Sequence, residues 1–253
     1  MTIGLLHPGE MGAAVGKCLV NAGHRVLWDP EGRSAETKER AAAAGLTGVT
    51  MAAMTGRSDV ILSVCPPHAA LAVARDVAGF GGLYVDANAI APATAREVAV
   101  IAEAGGASYV DGGIVGPPPL SPGHTRLYLS GARAAEVQAL FGGTAVDARV
   151  VPPPGTASAV KMAYASWTKG SAALLLAARA LAGAEGVESV LLEEWGLSQP
   201  GLEKRSEGAA RSAAAKGWRW VGEMEEIAAA MAAAGLPEGF HQAAAEMYRR
   251  YEK

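Results

Sequence analysis

Residues Ile3 to Gly12 read Ile-Gly-Leu-Leu-His-Pro-Gly-Glu-Met-Gly, an apolar run that breaks into a glycine-bearing turn before a helix-compatible stretch. This order sets unpaired N–H groups and the positive end of a helix dipole above a strand end, which suits a pyrophosphate. Of the dinucleotide fingerprint G-x-G-x-x-G the chain keeps the last two glycines, Gly9 and Gly12, with His7 in the first position. Gly9 would let the backbone approach the phosphates, and Gly12 would let helix and strand pack closely. His7, Pro8, Gly9, Glu10, Met11 and Gly12 are thus the candidate phosphate turn. Taken alone, the broken motif also fits an ordinary strand–turn–helix.

The adenine ribose of such a cofactor is met at the end of the second strand, where an acid selects NAD and a basic, hydroxyl-bearing loop selects NADP. The chain carries both signals. Asp29 ends the strand, and Pro30-Glu-Gly-Arg33-Ser34 follows. Arg33 and Ser34 could bind a 2′-phosphate through a guanidinium fork and a helix start, which favours NADP(H) over NAD(H). The plainer reading is that Ser34 merely caps the helix and Arg33 is solvated. Two further turns end strands at the edge where such sheets bind ligands: Val64-Cys65-Pro66-Pro67 and Asp86-Ala-Asn88. Cys65 has no neighbouring His or acid to activate it and reads as a small buried apolar residue. Asn88 offers amide donors and an acceptor towards the nicotinamide end, or serves as a turn residue.

The elements that must hold these residues alternate. Strand candidates are Thr2–Leu6, Arg25–Asp29, Val60–Val64, Leu83–Asp86, Tyr109–Asp111 and Arg126–Ser130. Helical stretches lie between them at Met11–Ala22, Ala35–Ala44, His68–Val77, Thr94–Ala104 and Ala134–Phe141. That pattern predicts βαβ units, a doubly wound parallel sheet with helices on both faces. Val151-Pro-Pro-Pro-Gly155 breaks it, and the remainder reads as helices. The expected organisation is a dinucleotide-binding Rossmann domain over 1–153 and a helical substrate and dimerisation domain over 154–253. A net charge of −3 in 253 residues carries no basic excess and speaks against a nucleic-acid partner. Two cysteines make no disulfide framework, and no Cys/His spacing suggests a metal. No apolar run approaches membrane-spanning length, and the N-terminus lacks a signal peptide's basic region, so a cytoplasmic protein is expected.

Taken in order, Ile3–Gly12, Ser63–Pro67, Asp86–Pro92, Asp111–Pro119, Gly155 with Lys161, and a helical tail resemble the β-hydroxyacid dehydrogenase superfamily. That superfamily includes 6-phosphogluconate and 3-hydroxyisobutyrate dehydrogenases. The resemblance covers nearly the whole chain and implies a nicotinamide cofactor, a long interdomain helix and a dimer or larger oligomer. Its substrate loop, usually Asp-Ala-Pro-Val-Ser-Gly-Gly, stands here as Asp111-Gly-Gly-Ile-Val-Gly-Pro117, which makes Ile114, Val115 and Gly116 candidate substrate contacts. Val115 replaces the serine that bonds the substrate carboxylate. The catalytic helix, usually Gly-x-Gly-x-x-x-Lys-x-x-Asn-Asn, keeps Gly155 and Lys161 but has Ala157, Tyr164 and Ala165 for the second glycine and the asparagines. The family's later Lys-Asp pair is absent, and Trp218–Met224 occupies that region.

Hydride transfer between an alcohol and a nicotinamide needs a proton acceptor on oxygen, or a donor in the reverse direction. A lysine in a cleft can do either. Lys161 lies in a stretch otherwise apolar from Ala157 to Trp167, and Tyr164, three residues on, shares its helix face. Trp218 and Trp220, two apart, cannot both line one site. The leading expectation is an NAD(P)-dependent oxidoreductase acting on a small hydroxy or oxo acid with Lys161 as general acid and base. The alternatives are an imine or pyrroline-carboxylate-type reductase and a non-catalytic dinucleotide-binding protein. Ala172–Leu181 and Ile227–Ala234 are the expected interface of a homodimer built through the helical region.

Overall fold

The computed structural model describes residues 1–251. The chain forms two compact units, Met1–Lys161 and Met162–Lys253. The division falls inside one long helix, beyond the proline-rich turn at 152–154 where the sequence suggests a break.

The first unit holds eight strands: β1 (Thr2–Leu6), β2 (Arg25–Trp28), β3 (Thr47–Gly48), β4 (Val60–Ser63), β5 (Leu83–Asp86), β6 (Ser108–Val115), β7 (Thr125–Ser130) and β8 (Val146–Val150). They form one sheet in the order β3-β2-β1-β4-β5-β6-β7-β8. The chain winds outward from β1 in one direction and from β4 in the other, so the crevice between β1 and β4 is the switch point where such sheets bind ligands. Both faces are covered, which is why the strands read as nearly unbroken apolar runs. Ile3, Leu5, Val60, Leu62 and Val85 pack on one face, and Leu6, Leu27, Ile61 and Tyr84 on the other. Helices α1 (Glu10–Asn21), α2 (Ala35–Ala43), α3 (Met51–Arg57), α4 (Ala70–Asp76), α5 (Pro92–Ala104) and α6 (Ala134–Leu140) supply the layers, followed by α7 (Ala157–Ala184). Ser34 and Thr50 side chains cap α2 and α3, and Pro92 opens α5, where its missing N–H costs nothing.

The architecture is the doubly wound sheet followed by helices that the sequence predicts, with local differences. β3, α3 and β8 lie outside the elements expected from the sequence; β3 spans only two residues and β8 is only partly buried. The sheet is not wholly parallel: β6 and β7 form an antiparallel hairpin, pairing Asp111 with Ser130 and Val115 with Arg126. β6 also runs four residues past Asp111. Gly112 and Gly113 look like a loop in sequence, yet both pair in the ladder, at points where neighbouring backbone leaves no room for a side chain. A Cβ at Gly112 would come 2.8 Å from the Asp86 carbonyl oxygen.

The second unit comprises α7 from residue 162 onward, α8 (Glu188–Ser198), α9 (Leu202–Lys216), α10 (Trp220–Ala233) and α11 (Gly239–Arg249), with no strand among the described residues. Ala213, Met224, Ile227, Ala244, Ala245 and Tyr248 form its buried centre. The Tyr248 hydroxyl donates to the Lys169 carbonyl at 2.6 Å, and Trp220 meets the Tyr248 ring edge-on at 5.0 Å. Lys169 pairs with Glu223, so it serves this packing. Trp218 is exposed beneath Arg219, whereas Trp220 turns inward, so the two indoles face different ways. No helix among the described residues is long and apolar enough to cross a membrane.

Candidate functional site

β1 ends at Leu6, and the backbone turns through His7 with φ of +62°, the one non-glycine residue in the left-handed region among the described residues. The Gly9 N–H bonds back to the His7 carbonyl at 2.7 Å, which makes the turn tight. A Cβ at Gly12 would come 2.6 Å from that same carbonyl oxygen, so only glycine lets α1 start this close to β1. Gly9 meets the opposite condition: nothing lies within 4 Å of a Cβ built there. The space above the turn is open, as a close backbone approach by a ligand requires. No side chain caps α1, so its first N–H groups face that space. These features fit the diphosphate of a dinucleotide. Glu10 also lines a cavity of about 560 Å³ with Lys17, Arg40 and the Pro117–His124 hairpin loop.

Arg33 crosses from the loop after β2 to the His7 ring, with Nη1 3.1 Å from Nδ1 and Nη2 3.4 Å from Nε2. Burial first, and then the Arg33 charge, lower the His7 pKa to about 4, so the imidazole is neutral. The Asp29 carboxylate accepts the Glu31 N–H at 2.9 Å and closes its own turn. Ser34 accepts the Thr37 N–H and so caps α2, the simpler of its two sequence readings.

On the other side of the crevice, the Val64 N–H bonds to the Leu6 carbonyl and prolongs the β1–β4 pairing. Pro66 leads into a short 3-10 turn at Pro67–Ala69. Cys65 is buried, and desolvation pushes its thiol up to about 12, which rules out a resting thiolate. Asn88 is buried as well. Its oxygen accepts the Cys65 N–H at 2.6 Å and its nitrogen donates to Ser63 Oγ at 3.0 Å. The amide expected to face a cofactor thus braces the loops after β4 and β5.

Lys161 reaches this edge through α7, and the start of α7 is fixed by residues that the sequence reading did not single out. One Asp111 oxygen accepts from Ser130 Oγ at 3.0 Å, from the Ser158 N–H at 3.0 Å and from Ser158 Oγ at 3.3 Å. Ser130 Oγ in turn lies 3.0 Å from the N–H groups of Gly155 and Thr156 and 3.1 Å from that of Ala157. Two buried side chains from β6 and β7 therefore cap α7. A turn later Lys161 passes over Gly113, where a Cβ would sit 2.7 Å from the Ala157 carbonyl oxygen and 2.8 Å from the lysine's Cβ. Strand alternation sets Gly113 and Val115 on the α7 face. It carries Ile114 into the core of the opposite face, so that candidate substrate contact turns away from Lys161. Val115 is buried, and Gly116 makes the hairpin turn at φ of +114°. Tyr164 lies one turn beyond Lys161, in the second unit, and is 46% exposed.

Beneath this edge Asp86 is fully buried, pairs in register with Asp111, and accepts the Asn88 N–H at 2.9 Å. Its other oxygen and the hydroxyls of Tyr84 and Tyr109 make no hydrogen bond among the described residues. Desolvation raises the Asp86 pKa to about 7, and the Asp111 charge adds to it; burial raises Asp111 as well. The available signal was an aspartate closing two consecutive apolar strands, Leu-Tyr-Val-Asp86 and Tyr-Val-Asp111.

Residues 2–145 match the NAD binding domain of 6-phosphogluconate dehydrogenase, and residues 182–251 match a domain of unknown function, DUF1932. No curated protein matches the sequence. Among solved structures, conserved protein MTH1747, of unknown function and described as structurally similar to 3-hydroxyacid dehydrogenases, is 28% identical, with a TM-score of 0.72 over 99% of this chain and 96% of that one. Two more share the fold at lower identity. Mycobacterium tuberculosis 3-hydroxyisobutyrate dehydrogenase, solved with L-serine, is 19% identical, with a TM-score of 0.73 over 99% of this chain and 93% of its own. Aspergillus terreus reductive aminase, solved with an NADPH-type cofactor, cyclohexanone and allyl amine, is 22% identical, with a TM-score of 0.61 over 98% and 92%. With more than half its length matched to the NAD binding domain of 6-phosphogluconate dehydrogenase, the chain belongs to that family and, through it, to the β-hydroxyacid dehydrogenase superfamily of NAD(P)-dependent oxidoreductases.

Proposed function

We propose that the chain is an NADP(H)-dependent dehydrogenase or reductase in which Lys161 is the general acid and base for a small hydroxy or oxo acid. The observation that carries this reading is the placement of Lys161 over Gly113, held by the Asp111 and Ser130 cap at the same sheet edge as the phosphate turn. When bound, the nicotinamide supplies or accepts the hydride. The α1 N–H groups would hold the diphosphate, Arg33 the 2′-phosphate, and Lys161 would give a proton to the substrate oxygen or take one from it. Arg33, held beside the phosphate turn, supplies the charge that a 2′-phosphate requires, which supports NADP(H). A panel of small oxo acids screened for NADPH oxidation tests the reading. K161M should bind NADPH normally and lose turnover by roughly 10²–10⁴-fold. Activity within a few-fold of wild type would remove Lys161 from the mechanism.

One residue favours a second reading. Val115, buried and apolar where the family's serine holds a carboxylate, suits a substrate without that group, such as a cyclic imine. Cyclic imines belong in the same panel, and turnover of imines alone would establish this alternative. NADPH binding with no turnover of any member would indicate a non-catalytic dinucleotide-binding protein.

A homodimer through the helical unit is part of the proposal. Trp167, Leu174 and Leu181 stand seven residues apart along α7 and are 68%, 71% and 64% exposed. Small residues such as Gly170 and Ala177 lie between them, which makes a seam suited to a second helix. Of the two stretches expected at the interface, Ala172–Leu181 keeps exposed apolar side chains. Ile227 and Ala228 are already buried within their own unit.

A further inference from the structure

We propose that His7 is a specificity-determining residue of the cofactor site: its ring holds the Arg33 guanidinium at the β1 turn, in place to receive the 2′-phosphate of an adenosine 2′-phosphate cofactor. This rests on the NADP(H) reading above and adds a residue to it. His7 stands where the dinucleotide fingerprint has a glycine, in a left-handed backbone conformation that strains a residue with a side chain. Glycine would occupy that turn without cost, and strain kept at a ligand site points to a use for the side chain.

The use is visible in the geometry. Arg33 comes from the loop after β2 and His7 from the turn after β1, the two segments between which the adenine ribose lies in such folds. Both terminal nitrogens of Arg33 face the ring, at 3.1 and 3.4 Å. A neutral imidazole has a single acceptor nitrogen, so one contact is a hydrogen bond and the other is packing. The guanidinium keeps N–H donors for a phosphate, and its orientation is set before the ligand arrives. An arginine already held in place loses less rotamer freedom on binding. A depressed His7 pKa keeps the ring uncharged beside the arginine.

Calorimetry with two cofactor fragments, 2′,5′-ADP and 5′-AMP, isolates the phosphate in question without any need for turnover. R33A should weaken 2′,5′-ADP by roughly 100-fold and leave 5′-AMP little changed. H7G should weaken 2′,5′-ADP selectively by roughly tenfold, because Arg33 is no longer held. In an R33A background the same change at position 7 should have almost no further effect. H7N, which tolerates the left-handed turn but lacks the ring's reach, should behave like H7G. If R33A is selective while H7G and H7N bind 2′,5′-ADP as tightly as wild type, the role of His7 is overturned and the NADP(H) reading stands. If R33A weakens both fragments equally, or neither, the NADP(H) reading fails and the proposal falls with it.

Discussion

Lys161 and Gly113 are in near contact: a Cβ on Gly113 would lie 2.8 Å from the Cβ of the lysine. The spacing is below what real Cβ atoms show, so α7 can lie this close to β6 only because residue 113 has no side chain. The candidate proton-transfer group is thereby fixed from below by a strand.

Gly113→Ala should therefore act on chemistry more than on cofactor binding. The added methyl must push the first turns of α7 away from β6, since the Ala157 carbonyl at 2.7 Å is backbone and cannot swing aside. Overpacking of this kind costs about 1–3 kcal/mol of stability. A shift of ~1 Å at a reacting group can cost ~10²-fold in rate. Turnover falling at least tenfold, with NADPH affinity unchanged, is the expected outcome once a substrate is found. Unchanged kcat would show that the approach of α7 to β6 is not part of positioning.

Stability should carry the signature of Asp86. Its folded pKa of about 7 lies above the ordinary carboxylate value of 3.8, so the folded protein keeps a proton that the unfolded chain has lost between those limits. The resulting stabilisation is fully present below about pH 4 and disappears as pH rises through about 7. Asp111, also raised, acts in the same sense. His7, lowered to about 4, acts in the opposite sense over much of the same range, so the difference between two proteins is the proper measurement. Asp86→Asn keeps an acceptor for the Asn88 N–H and cannot titrate. The Tm of the wild type minus that of D86N should fall steadily from pH 4 to pH 7 and level off above it. A difference that is flat with pH would refute the assignment.

Neither cysteine should react with thiol reagents in the native state. Burial raises both, Cys65 to about 12, and the thiolate is the reactive form. Mass spectrometry after iodoacetamide at pH 8 should show no adduct on native protein and two on unfolded protein. Rapid labelling of native Cys65 would mean that the loop after β4 opens readily.

Leu174→Glu should leave a helical, folded monomer. Leu174 is 71% exposed within its own chain, so a carboxylate there costs little unless a second copy covers it. Light scattering should give about twice 25.7 kDa for wild type and about 25.7 kDa for L174E. A wild-type mass of one chain, with full activity, would remove the dimer from the proposal.

Much of the outline was legible in the sequence. The His7–Gly12 turn, the alternation of strands and helices, and the change to helices after the proline run are local features, set by period, turn chemistry and breakers within about ten residues. The strand limits around Gly112 and Gly113 were not legible, because glycines in a strand look like a loop until the backbone pressing on them is known. Tertiary structure alone revealed the cap on α7, which joins Asp111 to Ser158 across 47 positions, and Ser130 to Ala157 across 27. It also turned Ile114 away from Lys161, buried Asp86, and brought Arg33 across 26 positions onto His7. Spacing along the chain says which residues share a face of one element. Which faces meet, and which polar groups are shut away from water where they meet, depends on how the elements pack, and that packing set the partners of the candidate groups.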